Sequence, residues 1–214
     1  MWNVKLPAPL RRSFFERPPD VVAFDLVGSW LVLHDGDHEQ RALIVETEAY
    51  GGVNDAASHA FRGPTKRSEI MFGPAGYLYV YLIYGMHWCM NVVTEPSGTA
   101  SAVLLRAAEL SVPETSSASE ENIALRGPGN LTRGLGITGE DNGLDCCGGE
   151  GRSLTFHRDR HVEREPTVQS TRIGISREVD RESRYFLDGH TAVSRKSAAR
   201  STNGDERHNR LERD

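Results

Sequence analysis

The sequence predicts an α+β fold in a single domain, and three observations support this class. The chain has 214 residues, an ordinary length for one domain with a buried core. Several short segments alternate apolar and polar residues and are separated by turn residues, which is typical of strands joined by hairpins. A few other segments have helical spacing and glycine at their ends. Several hairpins combined with a few helices define the α+β class.

The N-terminal region begins with a proline-rich segment. Four prolines within residues 1–19 predict an extended arm that precedes the main domain. Asp20 follows them and is expected to cap a short amphipathic helix. The 3-residue spacing of Val21, Phe24 and Val27 predicts its apolar face, and Gly28 is expected to end it.

Two strands follow, over residues 30–34 and 42–50, joined by a turn at residues 35–37. Alternation places Glu46, Glu48 and Tyr50 on one face of the second strand. The opposite face carries Leu43, Val45, Thr47 and Ala49 and is the better core face. The two carboxylates are therefore expected to point into a cleft or to solvent.

Residues 51–75 form a long polar loop, and loops of this length within a compact domain are usually functional or disordered. The next strand, over residues 77–83, places Tyr77, Tyr79 and Tyr81 on one face. Tyr84-Gly85 is typical of a hairpin tip, after which the strand resumes through residues 88–93. A further strand over residues 100–107 brings Ala102, Leu104 and Arg106 onto one face.

The C-terminal half is predicted to hold one helix and three short strands. The helix lies between glycines over residues 127–137, and the strands cover residues 153–157, 171–175 and 185–187. The main domain is predicted to span residues 20–194. Residues 195–214 carry almost no apolar side chains and are predicted to be a disordered tail.

Composition narrows the class of protein. The odd count of three cysteines argues against a disulfide framework. The eight histidines lack metal-ligand spacing, so no metal site is expected, and no other cofactor is expected either. No apolar run is long enough for a membrane helix and no signal peptide is recognisable, which places the protein in the cytoplasm. The net charge of -5 counts against a nucleic-acid partner, although binding needs only a local basic patch.

The carboxylates and aromatic residues suggest a site for a planar ring. Most glutamates on strands face solvent, but Glu48 lies in an apolar context where its acidity can be tuned for work as a general base. Tyrosines on strands often pack in cores, and the alternative is that they stack on bases. Tyr84 at the hairpin tip could act as a wedge between stacked bases.

The long loop supplies the other polar candidates. His59 could donate a hydrogen bond to a ligand, although a plain surface histidine is the simpler reading. Arg62, Lys66 and Arg67 form a small cationic cluster that either is solvated or contacts phosphates.

Several motifs resemble the alkyladenine (3-methyladenine, or N-methylpurine) DNA glycosylase family. They are ETEAY at residues 46–50, His59, Met71-Phe72, YVYLIYGMHWCMN at residues 79–91 and LLRA at residues 104–107. GPGNL at residues 127–131, RIGI at 172–175 and RYFL at 184–187 also fit, and the resemblance covers about residues 20–194.

The resemblance implies a monomer with a curved antiparallel sheet and a hairpin that enters the DNA minor groove. It assigns Glu48 as the general base and Arg106 as the residue that helps to hold the attacking water. The backbone carbonyl of Ile173 would also touch that water. It further implies that Tyr50, His59 and Tyr81 sandwich the flipped base, that Asn91 crowds the 2-amino group of guanine, and that Tyr84 fills the gap in the duplex.

The implied activity is hydrolysis of the N-glycosidic bond of alkylated or deaminated purines in double-stranded DNA, which leaves an abasic site. The lesions would include 3-methyladenine, 7-methylguanine, hypoxanthine and ethenoadenine. A lyase would need a placed lysine, and Lys66 is the only one near the site in sequence, which favours a monofunctional enzyme. Ser68 and Asn130 depart from the Asn and Lys common in the family, near expected DNA contacts.

Two alternatives stay open, namely a non-catalytic binder of damaged DNA and a hydrolase of small N-glycosides.

Overall fold

The protein is described by a computed structural model over residues 6–111, 122–149, 151–158 and 166–194. These residues form nine strands in one antiparallel sheet, with three short α-helices packed around it. The helices are α1 (Arg12–Phe15), α2 (Pro19–Leu26) and α3 (Pro128–Leu135). The strands are β1 (Trp30–Asp35), β2 (His38–Tyr50), β3 (Leu78–Ile83), β4 (His87–Thr94), β5 (Ser101–Leu110), β6 (Ile123–Leu125), β7 (Ser153–His157), β8 (Thr167–Ser170) and β9 (Arg184–Leu187).

The long strand β2 makes the sheet curl. One edge of β2 pairs first with β1 and then with β9, while its other edge pairs with β5 along most of its length. The β2–β5 register slips between Ile44 and Thr47, and such bulges bend a strand and increase its twist. The resulting half-barrel confirms the predicted α+β fold with a curved antiparallel sheet.

The β3–β4 hairpin projects from the edge of the sheet. Tyr84 and Gly85 at its tip have φ values of 52° and 69°, as the two central residues of a type I′ turn require. A left-handed conformation is strained for a tyrosine, and 80% of this residue is exposed. The tip therefore presents a bulky apolar side chain to solvent at a cost in backbone energy.

Two apolar clusters hold the fold together. The larger lies between the sheet and the helices and includes the fully buried Phe15, Leu26 and Phe156. The smaller lies beneath the loop of residues 51–75, where Met71 clusters with Tyr79 of β3 and Ala102 of β5. The loop thus has its own core contacts, together with a 3₁₀ turn over Glu69–Phe72, and it leaves a cavity between itself and the sheet. Among the described residues, no helix is long and apolar enough to cross a membrane.

Helix α2 corrects two predictions. Pro18 is the N-cap and Pro19 occupies the first turn, where proline is favoured, so Asp20 does not cap the helix. Its carboxylate instead accepts hydrogen bonds from Arg181 and the hydroxyl of Tyr185. The predicted apolar face was wrong for two of its three residues: Val21 and Phe24 are about half exposed, and only Val27 is buried. The buried face of the helix carries Val22, Ala23 and Leu26.

Two other segments differ from their predictions. Residues 171–175 are not a strand, because the strand β8 ends at Ser170 and the chain then turns. The proline-rich segment is not extended throughout, because α1 forms within it and Phe15 is fully buried. The predicted tail at residues 195–214 lies outside the described residues, and the domain boundaries remain predictions.

Candidate active site

A cavity of about 630 Å³ opens beside the β3–β4 hairpin. Its walls come from the loop of residues 51–75, from β3, β4 and β5, and from the turn that follows β8. The structure brings most of the predicted site residues to this cavity. Those lining it are Tyr50, His59, Arg62, Tyr81, Tyr84, Asn91, Arg106 and Ile173.

Glu48 is fully buried directly behind this lining, so the expectation that it could face solvent was wrong. Its Oε1 accepts a hydrogen bond of 2.7 Å from the backbone N–H of Ile173. Its Oε2 accepts one of 2.9 Å from the hydroxyl of Tyr50 and lies 3.2 Å from Nη1 of Arg106. Three residues that line the cavity therefore hold the carboxylate in one orientation.

Burial governs the acidity of Glu48. Desolvation raises its pKa above the ordinary glutamate value, and Arg106, the Ile173 N–H and the Tyr50 hydroxyl act in the opposite direction. A carboxylate with a raised pKa is a stronger base once ionised, and the three donors stabilise that ionised form. Glu48 thus has the properties that a general base requires.

A second buried carboxylate, Glu46, holds the other side of Arg106. Its Oε1 lies 3.0 Å from Nε of Arg106 and 2.6 Å from Nε of Arg184. The backbone N–H and hydroxyl of Ser194 also donate to it, at 2.7 and 2.8 Å. Because Glu46 is fully buried and accepts four hydrogen bonds, it is suited to fixing Arg106 rather than to activating water.

Aromatic side chains form two walls of the cavity. Tyr81 meets His59 edge to face at 4.6 Å between ring centroids, and it lies 5.2 Å from Tyr79. Nδ1 of His59 is 2.9 Å from the hydroxyl of Tyr79, which fixes the imidazole ring. Desolvation, assisted by the charge of Arg67, lowers the pKa of His59 to about 4, so the ring is neutral at physiological pH. Tyr50 lies at the end of β2, two residues after Glu48 on the same strand.

Asn91 is buried in β4 beneath these walls. Its Nδ2 donates to the backbone carbonyl of Tyr79 at 3.1 Å. The amide is therefore fixed at the bottom of the cavity, in a position to contact one edge of a bound ring.

The cationic cluster of the loop does not act as one unit. Arg62 lines the cavity, whereas Lys66 is exposed outside it. The guanidinium of Arg67 lies 4.7 Å from the ring centroid of Tyr81 and donates to the carbonyl of Leu82, so it packs on the cavity wall. Ser68 is buried, and its hydroxyl bonds to that of Thr65.

Sequence reasoning missed several residues of the site. Tyr79 was grouped with the strand tyrosines but not with the cavity, and Met71, Cys89 and Leu104 also line it. The pair Asp55 and Arg172 behind Tyr50 was missed as well. RIGI at residues 172–175 signalled that Arg172 mattered, but nothing in the sequence indicated its partner.

Comparisons with known proteins identify a family that this sequence matches. The sequence model of the family described as Methylpurine-DNA glycosylase (MPG) matches residues 13–191. Two similar relatives carry the name "Putative 3-methyladenine DNA glycosylase". The one from Carboxydothermus hydrogenoformans is 44% identical over 192 residues, covering 87% of this chain and 99% of the relative. The one from Anaeromyxobacter sp. is 47% identical over 190 residues, covering 87% of this chain and 92% of the relative.

Proposed function

This chain belongs to the methylpurine-DNA glycosylase family, and from that premise we propose that it is a monofunctional enzyme of base excision repair. It takes alkylated or deaminated purines out of double-stranded DNA and hydrolyses their N-glycosidic bond with an activated water. Its lesions are 3-methyladenine, 7-methylguanine, hypoxanthine and ethenoadenine. The product is an abasic site.

The observation that carries this proposal is the setting of Glu48. A buried carboxylate with a raised pKa lies behind the cavity, and the three groups that hold it also face the cavity. Arg106 reaches both Glu48 and the cavity, so a water bound beside its guanidinium would be within reach of the base. Such a constellation suits hydrolysis, and it is not needed for binding alone.

The proposed reaction balances without a cofactor. The oxygen of the water attacks C1′ of the flipped nucleotide while Glu48 accepts its proton. The N-glycosidic bond breaks, and its electron pair leaves with the purine through an oxocarbenium-like transition state. A purine methylated at N3 or N7 already carries positive charge and departs as a neutral base, so it needs no acid from the protein. Hypoxanthine and ethenoadenine are neutral lesions, and each must take up one proton on the base, from solvent or a neighbouring acid, as the bond breaks.

The aromatic walls match planar purines. Each stacking contact between a base and an aromatic ring contributes about 1–3 kcal/mol. The electron-rich faces of Tyr50 and Tyr81 also attract a cationic ring. Asn91 and the neutral His59 provide polar groups for the base edge. Alkylated purines satisfy both features of the pocket.

The hairpin tip favours duplex DNA over a small N-glycoside. Tyr84 is 80% exposed, yet it also lines the mouth of the cavity. An apolar side chain in that position can enter the gap that a flipped nucleotide leaves in the stack. A hydrolase of free nucleosides would have no use for such a wedge.

Other parts of the proposal rest on the placement of residues. Lys66 lies outside the lining of the cavity, which supports a mechanism without a Schiff base. The described groups that hold Glu48 come from Tyr50, Arg106 and Ile173 of one chain, which supports action as a monomer. Because genomic DNA is its substrate, its place of action is the bacterial cytoplasm, at the nucleoid.

The test uses purified protein and its Glu48→Gln variant. Each is incubated with a duplex that carries one hypoxanthine and, separately, with DNA methylated at its purines. Alkaline cleavage then reveals abasic sites. The matched control is Glu39→Gln, the same change at an exposed carboxylate of β2. We expect base release by the wild type and Glu39→Gln, and none by Glu48→Gln, which still binds lesion DNA.

The other results have distinct meanings. Tight lesion binding without release by the wild type would contradict the proposed hydrolysis in this protein. Release by both Glu48→Gln and the wild type would assign the base to another residue. Cleavage of free nucleosides by the wild type, unchanged in Tyr84→Ser, would favour the small N-glycoside hydrolase.

A further inference from the structure

A second buried ion pair, between Asp55 and Arg172, lies beside the catalytic cluster. Both side chains are fully buried. Nη1 of Arg172 is 2.6 Å from Oδ2 of Asp55, and Nη2 is 3.0 Å from Oδ1. This two-pronged geometry is the strongest that the arginine fork offers to a carboxylate, and it fixes both side chains in orientation. The residues are 117 positions apart, so the pair joins two distant segments of the chain.

Asp55 organises the segment that connects Tyr50 to His59. Its Oδ2 accepts a hydrogen bond from the backbone N–H of Gly51, and its Oδ1 accepts one from that of Ala57. The carboxylate therefore sets the path of the chain between two walls of the cavity.

Arg172 reaches the catalytic cluster from the other side. Its guanidinium carbon lies 4.7 Å from the ring centroid of Tyr50, and Nη1 also donates to the carbonyl of Ala49. The next residue, Ile173, donates its backbone N–H to Glu48. Arg172 thus supports the ring of Tyr50, whose hydroxyl binds one carboxylate oxygen of Glu48. It also fixes the start of the peptide of Ile173, whose N–H binds the other oxygen.

We propose that Asp55 and Arg172 are positioning residues for base excision, and that their ion pair aligns Tyr50 and Ile173 on Glu48. This inference rests on the proposed glycosylase function. Neither residue lines the cavity, so each acts through the groups that do. Catalytic groups must be held within a fraction of an ångström, and misplacement of about 1 Å can cost roughly 100-fold in rate.

A purely structural role makes a different prediction. Loss of one member of a buried pair leaves an uncompensated charge and lowers stability whether or not the pair serves catalysis. A structural pair would change the melting temperature, while the rate of the folded fraction would stay constant. A positioning pair also lowers the single-turnover rate, and it couples to the Tyr50 hydroxyl.

The experiment measures single-turnover base release from a 7-methylguanine duplex, lesion-duplex affinity and thermal unfolding. The variants are Asp55→Asn and Arg172→Lys, which keeps the charge but loses the fork. The control is Asp25→Asn. Asp25 forms ion pairs with Arg17 and Arg158, in a cluster separate from the one around Glu48. All rates are taken well below each melting temperature, with concentrations corrected to the folded fraction.

We expect a roughly 10- to 100-fold slower rate in Asp55→Asn and Arg172→Lys, with affinity changed by less than about threefold. The rate of Asp25→Asn should stay within about twofold of the wild type. At a pH on the acid limb of the rate profile, Tyr50→Phe should slow base release less in the Asp55→Asn background than alone, because the two changes disturb one unit. Rates within about twofold of the wild type in both variants, or additive losses, would overturn the proposal. If Asp55→Asn does not fold, the single-turnover rate of Arg172→Lys alone tests the proposal. Absence of release by the wild type would instead contradict the proposed function.

Discussion

The hydroxyl of Tyr50 should set the pH range in which the enzyme works. It donates a 2.9 Å hydrogen bond to Oε2 of Glu48 within a buried cluster. The bond stabilises the ionised carboxylate, so its removal in Tyr50→Phe should raise the pKa of Glu48. A hydrogen bond to a charged group contributes about 1.5–3 kcal/mol, and one pKa unit corresponds to about 1.36 kcal/mol. Because Arg106 and the Ile173 N–H remain, we expect a rise of about one unit.

The assay is the single-turnover release of 7-methylguanine between about pH 5 and 9. This cationic base needs no proton from the protein, so the acid side of the profile reports the general base. His59 does not contribute, because its pKa of about 4 keeps it neutral in this range. We expect the acid limb of Tyr50→Phe to move up by about one unit, with a nearly unchanged plateau.

The matched control is Tyr81→Phe, which removes a hydroxyl from the other wall of the cavity and keeps the ring. Its acid limb should coincide with that of the wild type. An unmoved or lowered limb in Tyr50→Phe would refute the assignment of Glu48 as the titrating base. A similar rise in both variants would show that the hydrogen bond to Glu48 is not the cause.

Three further predictions follow from burial and backbone geometry. Glu48→Gln should raise the free energy of unfolding near neutral pH, because burial raises the folded pKa of Glu48 and Arg106 keeps Glu46 as its partner. The gain should vanish as the pH falls below about 4, where Glu48 becomes protonated in both the folded and the unfolded state, and denaturant titrations across pH check this. Tyr84→Gly should stabilise the fold by up to about 1 kcal/mol, by relieving a φ of 52°, yet it should lose activity on lesion duplexes in glycosylase assays. Gly52→Ala should destabilise by about 1–3 kcal/mol in thermal unfolding, since its Cβ would lie 2.2 Å from the carbonyl of Thr99, whereas Gly148→Ala should be neutral.

Local chemistry explains what the sequence predicted well. Alternation and turn residues located β1, β2 and the β3–β4 hairpin, because a strand with one apolar face and a Tyr-Gly tip is specified by neighbouring residues. Helix α2 is only eight residues long, and two apolar spacings fit it equally. Packing against the sheet selected Val22 and Leu26 for burial, and Phe24 instead rests edge-on against Tyr185.

The unpredicted features depend on contacts between distant residues. Alternation placed Glu46 and Glu48 on a polar face, yet both are fully buried. Arg106 arrives from β5 and Arg184 from β9, which pairs with β2, and their charges make burial of the carboxylates possible. No pattern within β2 indicates these partners. The family motifs located Glu48 and Arg106, but the role of Glu46 became apparent only from the geometry.

The charge balance around the cavity indicates what these contacts are for. Three buried carboxylates face three buried arginines within this cluster, namely Glu46, Glu48, Asp55, Arg106, Arg172 and Arg184. Buried ion pairs are a weak source of stability, because desolvation offsets most of their attraction and apolar replacements often perform as well. Their value here is therefore better explained by orientation. Fixed donors around a desolvated carboxylate act on developing charge without first reorganising, which water cannot do. The same burial that weakens the fold at Glu48 thus produces the base that the proposed reaction needs.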